Sequence, residues 1–412
     1  MKIFRRCATT GLVIGGILLL AACGSSGSSG GKVGSGPITI GTSLSLSGDF
    51  SADGQAFERG YKLWVKDQNA KGGLLGHQVK LDVLSDASSP AQAASNYTKL
   101  IGSDKVSLVF GPFSTLLTIP SARVASRYGY AFVEGAGGGP TVFGQGLHNV
   151  FDVSVPVKNN LTTFAQWVAS LPASQRPKTA EYATTNDPFT EPQLPVARSI
   201  LEGAGVKTLG YTVFPAEVTD FTPIASKAAS AKADVFVLGS TDVPTVSSFI
   251  HAFIQQHYNP KIFIATGGPD QGAAFIKAVG QGNENGIFVP NGWYPGFHKA
   301  DSQKMVKEYI ATYGGSPSDV NSDVAEGYSV GQVLAQAVEA THGFDQAKLI
   351  SYMHSGVTFD SVQGPVKFDS AGENTAQKTL TFQWQNGTLV QSLPTNTVGS
   401  KPPQYPKPNF VG

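Results

Sequence analysis

The chemistry this sequence offers sits in loops of small and hydroxyl residues that directly follow short apolar, β-branched runs. Three stand out: Ser47 to Asp53, Gly111-Pro112-Phe113-Ser114-Thr115, and Ala136-Gly137-Gly138-Gly139. A loop between a strand and a helix presents free N–H groups and the positive end of the helix dipole, which suits a carboxylate or another polar group. In parallel sheets such loops gather beyond the carboxyl ends of the strands, where ligands bind. Ser114 and Thr115 read either as helix caps or as ligand contacts, and one helix N-terminus is able to do both. The glycine run is not a nucleotide loop, because it lacks the G-x-G-x-x-G spacing and has no Gly-Lys-Ser/Thr.

Catalysis and metal binding find little material. The seven histidines, His77, His148, His251, His257, His298, His342 and His354, form no H-x-x-x-H pair, and His251 with His257 would point to different helix faces. Cysteine occurs only at Cys7 and Cys23, and no G-x-S-x-G elbow is present. An enzyme is therefore not expected, nor a metal or cofactor. Charged residues make up 14% of the chain, the formal net charge is +1, and no Lys/Arg cluster is present. A nucleic acid partner is not expected on that footing.

Alternating strand and helix patterns position the loops. Ile38 to Thr42, Gln78 to Leu84, Val106 to Phe110 and Ala131 to Glu134 read as strands, with helices over 55–69, 90–101 and 116–128. The same grammar restarts after Val155-Pro156-Val157, which reads as a crossing strand. Strands follow at 179–184, 208–214, 235–238, 261–265 and 287–290, with helices near 191–204, 221–231 and 243–257. Helices over 302–313 and 322–341 lead to a β-rich close about an Asn386-Gly387 hairpin turn. Such alternation predicts an α/β protein whose parallel sheets are covered on both faces, and the length favours two lobes.

The N-terminus has the three parts of a secretory signal: cationic Lys2, Arg5 and Arg6, an apolar stretch over 11–22, and small residues before Cys23. Twelve apolar residues span about 18 Å as a helix, short of the roughly 30 Å hydrocarbon core. Leu20-Ala21-Ala22-Cys23 resembles a bacterial lipoprotein processing site, which implies a lipid on Cys23, a Gly/Ser tether, and a body on the outer face of a membrane.

Beyond the tether, several segments resemble the type I periplasmic binding proteins, specifically the branched-chain amino acid (Leu/Ile/Val)-binding group. They are Ile38-x-Ile40-Gly41, Leu46-Ser47-Gly48, Asn69-Ala70-x-Gly72-Gly73-x-x-Gly76, Phe110-Gly111-Pro112, Asp187-Pro188-Phe189 and Thr219-Asp220-Phe221. The resemblance implies two doubly wound αβα lobes, joined by a three-strand hinge and closing over a solute. Expected boundaries are a signal segment 1–22, a tether 23–37, a first lobe 38–156 and 291–360, a second lobe 157–290 and 361–395, and a structureless Pro-rich tail 396–412. Crossings are expected near 155–158, 290–293 and 361–365.

By resemblance, Ser114 and Thr115 match the loop that holds an amino acid's carboxylate, and Ala136, Gly137 and Gly138 the segment that supplies a carbonyl and a threonine hydroxyl. Gly138 stands where that threonine is carried and Glu134 where a serine is usual, a departure from the amino acid clamp. Successive glycines imply a wider pocket, and Glu134 or a second-lobe acid is left to take an ammonium. Phe189 matches a ligand-covering tyrosine. Asp242 and Asp270 fall in loops where ammonium partners lie, or serve as caps; Trp293 and Tyr294 face the cleft or pack in the hinge; Tyr328 matches a tyrosine near the hinge. The implied function is solute binding for an ABC importer, as a monomer docking on a membrane permease. An amino acid is the first expectation for the ligand, with an amide, a urea-like compound or an aromatic carboxylate as alternatives, and a sensory module as another role.

Overall fold

The computed structural model describes residues 36–412; the segment with the signal pattern, Cys23 and most of the tether lies outside the described residues. In the first lobe, β1 (Ile38–Leu44), α1 (Ser51–Ala70), β2 (Val79–Ser85), α2 (Pro90–Gly102), β3 (Leu108–Val109), α3 (Thr115–Arg127) and β4 (Phe132–Glu134) alternate as the pattern predicts, and α4 (Pro140–Phe143) and β5 (Val150–Asp152), which the pattern does not predict, follow. β1 lies between β2 and β3, all parallel, and a bridge from Phe110 to Val133 leads on to the parallel pair β4 and β5.

The second lobe is built from α5 (Thr162–Ser170), β6 (Thr179–Thr185), α6 (Gln193–Gly203), β7 (Lys207–Phe214), α7 (Thr222–Ala231), β8 (Val235–Gly239), α8 (Val243–Gln255), β9 (Ile262–Ala265), α9 (Ala273–Val279) and β10 (Ile287–Asn291). The chain then returns to the first lobe with α10 (Ala300–Tyr313), α11 (Ser322–Thr341), α12 (Gln346–Met353), β11 (Phe359–Ser361) and β12 (Gly364–Val366). It finishes in the second lobe with β13 (Leu380–Gln385) and β14 (Thr388–Leu393). The second sheet runs β14-β13-β10-β9-β8-β6-β7, parallel except for β13, which is antiparallel to both of its neighbours. Apolar side chains fill both faces of each sheet, as two covered layers require.

The structure corrects the sequence at several places. Val155 to Val157 is not a strand; the chain turns into a 3-10 helix at Val157–Asn159. The third crossing does not fall at 361–365, because Phe359, Val362, Val366 and Phe368 are buried in the core of the first lobe and the passage follows Asn374. The helices α5, α9 and α12 were not foreseen. Nor is the tail structureless: it has no helix or strand, yet the Lys407 N–H donates to the Lys261 carbonyl (2.8 Å) and Gln383 exchanges hydrogen bonds with Gln404 (2.7 and 2.9 Å). Lys407 is 3% exposed, and Phe410 packs against the second lobe. Prolines there remove donors but leave the other backbone groups free to pair with a neighbour.

One contact sets the geometry of the first lobe. α1 and α11 approach so closely that a Cβ on Gly60 would lie 2.3 Å from the Val324 carbonyl oxygen, and one on Gly331 would lie 2.2 Å from the Trp64 indole. Alanine is about 1 kcal/mol better than glycine inside a helix. Even so, Gly60→Ala is expected to lower stability by about 1–3 kcal/mol, since the backbone of α11 has to move. Urea unfolding measures the loss; equal or higher stability would contradict the packing.

Candidate functional site

A cleft lies between the lobes at the carboxyl ends of both sheets. The first lobe contributes Phe113 and Ser114 from the loop into α3, Gly135, Ala136 and Gly138 from the loop after β4, and Asp152 from the end of β5. Asp53 enters from the first turn of α1, Ser322 and Asp323 from that of α11, and Glu326 from the turn that follows. The second lobe contributes Phe189, Thr241, Thr266, Gly267, Asp270 and Gln271, with Asn291 at the end of β10. Gln271 ties the two sides together. Its Nε2 donates to Asp53 Oδ1 (2.6 Å) and Asp323 Oδ2 (3.2 Å), while Asn321 Nδ2 donates to its Oε1 (2.9 Å).

Of the residues expected from sequence, Ser114, Ala136, Gly138, Phe189 and Asp270 stand in this wall. Ser114 precedes α3 but makes no capping bond, and its buried Oγ has no hydrogen-bond partner among the described residues. Thr115 and Gly137 stand just behind the wall, where Thr115 Oγ1 accepts the Gly139 N–H (3.2 Å) and the Gly137 N–H is taken by Glu134. Asp242 caps α8 instead of facing the cleft, accepting the Thr245 N–H (2.7 Å) and hydroxyl (3.0 Å). Trp293 is 2% exposed in the first lobe's core and donates Nε1–H to Ser302 Oγ (2.8 Å). Tyr294 packs on Phe382, also outside the wall.

Tyr328 lies on the α11 face turned toward α1, donating its hydroxyl to Asp67 Oδ2 (2.7 Å). It is not part of the cleft wall. Tyr328→Phe is expected to lower stability by about 1–2 kcal/mol through the lost bond to a carboxylate, with solute affinity unchanged. Parallel unfolding and titration measurements read both.

The glycine run does not widen the pocket either. A Cβ at Gly138 would lie 2.3 Å from Asp152 Oδ2, and one at Gly139 would lie 2.3 Å from the Thr115 methyl and 2.8 Å from the Pro188 carbonyl of the other lobe. The missing side-chain space is taken by neighbours, one of them an acid. Glu134 sits behind the loop, fully buried, with its Oε2 accepting the Ala136 N–H (2.9 Å) and the Gly137 N–H.

Carboxyl groups dominate the result. Asp53, Asp152, Asp270, Asp323 and Glu326 line the cleft, and among the described residues no Lys, Arg or His does. Burial pushes all five upward in pKa, Asp152 and Asp323 to about 7 and Asp53 and Glu326 well above the carboxylate range. Mutual repulsion adds to this: Asp323 and Asp270 raise Asp53, and Asp323, Asp152, Asp270 and Glu134 all raise Glu326. Only Asp270 was foreseen. The others left a weak trace in the sequence, as acids at the end of a strand or near the start of a helix.

A carboxyl whose folded pKa is raised favours folding fully below its unfolded value near 4, and that contribution is lost as pH climbs through 7. Asp323→Asn keeps an oxygen for the Gln271 and Asn321 donors and removes the charge. The variant is expected to gain about 2 kcal/mol on the parent between pH 5 and pH 8. Paired urea titrations at the two pH values check this, and a pH-independent difference would contradict it.

Comparison with known proteins fits this geometry. The model of a family described as periplasmic binding protein matches residues 37–388. This chain belongs to that family. A Leu/Ile/Val-binding protein homolog of Brucella melitensis is 24% identical over 385 residues, covering 87% of this chain and 91% of the relative. Among solved structures, the branched-chain amino acid transporter substrate binding protein LivJ of Streptococcus pneumoniae, in complex with isoleucine, superposes with a TM-score of 0.76 at 20% identity, covering 86% of this chain and 97% of that one. A solute binding protein of an ABC transporter from R. palustris, in complex with benzoate, superposes at 0.74 with 20% identity, covering 86% and 95%. The fold is thus that of the type I periplasmic binding proteins, as the sequence resemblance implies.

Proposed function

We propose that this protein is the extracytoplasmic solute-binding component of an ABC importer, trapping a small amine-bearing molecule between its lobes and delivering it to a membrane permease. The observation that carries this reading is the cleft walled by loops of both lobes at the carboxyl ends of their sheets and bridged across by Gln271. Contacts from both sides to one solute favour the closed form, and that differential affinity drives the hinge. Nothing in the wall is arranged as a nucleophile with its base, so the reading is binding without covalent chemistry.

The composition of the wall bears on the ligand. Relatives include a binder of isoleucine and one of benzoate, but a carboxylate entering this cleft would meet five acidic side chains and no fixed cation among the described residues. The amino end of a solute has many partners here. For a carboxylate, Ser114 and the N-terminus of α3 are the available donors. Among the alternatives the amine-bearing reading therefore stands ahead of the aromatic carboxylate. Among the described residues no helix is long and apolar enough to cross a membrane. Attachment through a lipid on Cys23, with the Gly/Ser segment as its tether, would hold the trap beside its permease.

Melting curves of the full chain against amino acids, amines, amides and aromatic acids test the reading. At 100 times its dissociation constant a true ligand stabilises by about 2.7 kcal/mol. Ser114→Ala is expected to weaken that ligand about fivefold, the cost of one hydrogen bond, with the melting point of the free protein nearly unchanged. A chain that responds to no member of the panel is not a solute trap of this kind.

A further inference from the structure

Five carboxyl groups converge on the cleft from four separate elements: Asp53 from α1, Asp152 from β5, Asp323 and Glu326 from α11, and Asp270 from the loop after β9. Asp53, Asp152 and Asp323 are 5%, 1% and 5% exposed. None has a basic partner: Asp53 and Asp323 share a side-chain hydrogen bond and the Gln271 amide, Asn321 (3.0 Å) also donates to Asp323, and the Ser154 N–H (2.8 Å) donates to Asp152. Asp270 accepts from the Gly268 N–H (3.0 Å) and Asn291 Nδ2 (3.3 Å). Among the described residues the Glu326 carboxylate has no ion-pair partner, and the nine ion pairs present all lie elsewhere. Glu134, directly behind the wall, adds a sixth acid with Oε1 unpartnered.

A structural role does not account for this concentration. Buried charges in folded proteins are paired or hold a ligand, and clusters of like charge oppose folding unless something compensates them. An independent observation marks the same place: the Ser114 hydroxyl, on a residue 5% exposed, borders the cleft with no partner. A single amino acid carries one ammonium and one carboxylate, so it brings no net charge to match. Among the described residues no three of these acids come together in the way a metal ion requires. Phe113 and Phe189, one from each lobe, offer ring faces to a cationic group or to methylenes between two such groups.

We propose that the solute of this cleft is a small aliphatic amine carrying at least two ammonium groups and no carboxylate, held between the first-lobe acids Asp53, Asp152, Asp323 and Glu326 and Asp270 of the second lobe. The proposal rests on the solute-binding reading given above and narrows it. Its ammonium groups replace the protons that these crowded acids otherwise retain. The acids face each other across the hinge, so a cation between them draws the lobes together.

Titration calorimetry of the full chain with putrescine, spermidine, lysine, leucine and benzoate, repeated in buffers of different ionisation enthalpy, tests this. Putrescine or spermidine is expected to bind more tightly than lysine, and leucine and benzoate not to bind. Complex formation is expected to release protons, seen as a heat that changes with the buffer. Asp152→Asn and Asp323→Asn are each expected to weaken the amine by about 30-fold or more, as loss of a buried charge partner does. Both variants are expected to melt no lower than the parent at pH 8, which shows that the loss is not one of folding. Binding of leucine or benzoate in preference to the amines would overturn the oligocation and leave the importer reading standing. Amine binding without proton release, or unaffected by both substitutions, would overturn the placement of the ammonium groups. Silence toward the whole panel would overturn both readings.

Discussion

The close approach of α1 and α11 is the constraint on which the site depends. Glycine at 60, 327 and 331 lets two 20-residue helices meet nearly backbone to backbone. Their N-termini open on the same cleft. Asp53 and Asp323 each lie in the first turn of their helix, where the dipole favours a carboxylate, and the two helices bring these acids within reach of each other, so that Asp323 adds to the upward push of burial on Asp53. A bulkier seam would keep both helices and both acids yet separate them. The packing of the first lobe and the electrostatics of the cleft are thus one property.

Holding several acids out of water is costly, and the fold limits the cost by neutral means. Two unit charges at about 4 Å repel by about 4 kcal/mol at an effective dielectric of 20, more than the few tenths to 1 kcal/mol that a helix dipole returns. Burial makes protonation the cheaper outcome and repulsion adds to it, from Glu373 on Asp152 and from Asp270 on Asp323, so both are pushed up to about 7. Gln271 suits such a site because an amide donates to a carboxylate and equally satisfies a neutral carboxyl. An arginine in its place would fix a permanent positive charge between these acids.

Much of the architecture was legible from local pattern. β1, β6, β8 and β9 are runs of buried β-branched and aromatic residues, and the helices between them follow capping and glycine signals that act over a few positions, such as Ser89 before α2 and Asn321 before α11. The loops that follow the strands gave Ser114, Ala136, Gly138 and Asp270. What stayed hidden depends on distant pairs. Asp53 and Asp323 are 270 positions apart, and only the helix seam joins them. Trp293 and Tyr328 were misplaced because their direction follows from how the hinge enters the first lobe and which face α11 turns to α1. The tail was misread because proline content reports lost donors and is silent on the side-chain amides, here Gln383 and Asn283, that take the remaining groups.

The acids also bear on how the lobes move. Asp270 belongs to one lobe and the other four acids to its partner lobe, so deprotonation sets like charge on both sides of the hinge and opposes closure. The bonds from Gln271 to Asp53 and Asp323 act in the other direction, but net hydrogen bonds to charged groups contribute only about 1.5–3 kcal/mol each. Shifting two forms from 1:99 to 99:1 needs about 5.5 kcal/mol of differential affinity, which is what about two to four such bonds contribute. Two ammonium groups shared between the lobes can supply that difference. A neutral solute would have to find it in dispersion contacts with Phe113 and Phe189, which leave the repulsion in place. Under the proposed reading, such a trap closes on charge before it closes on shape.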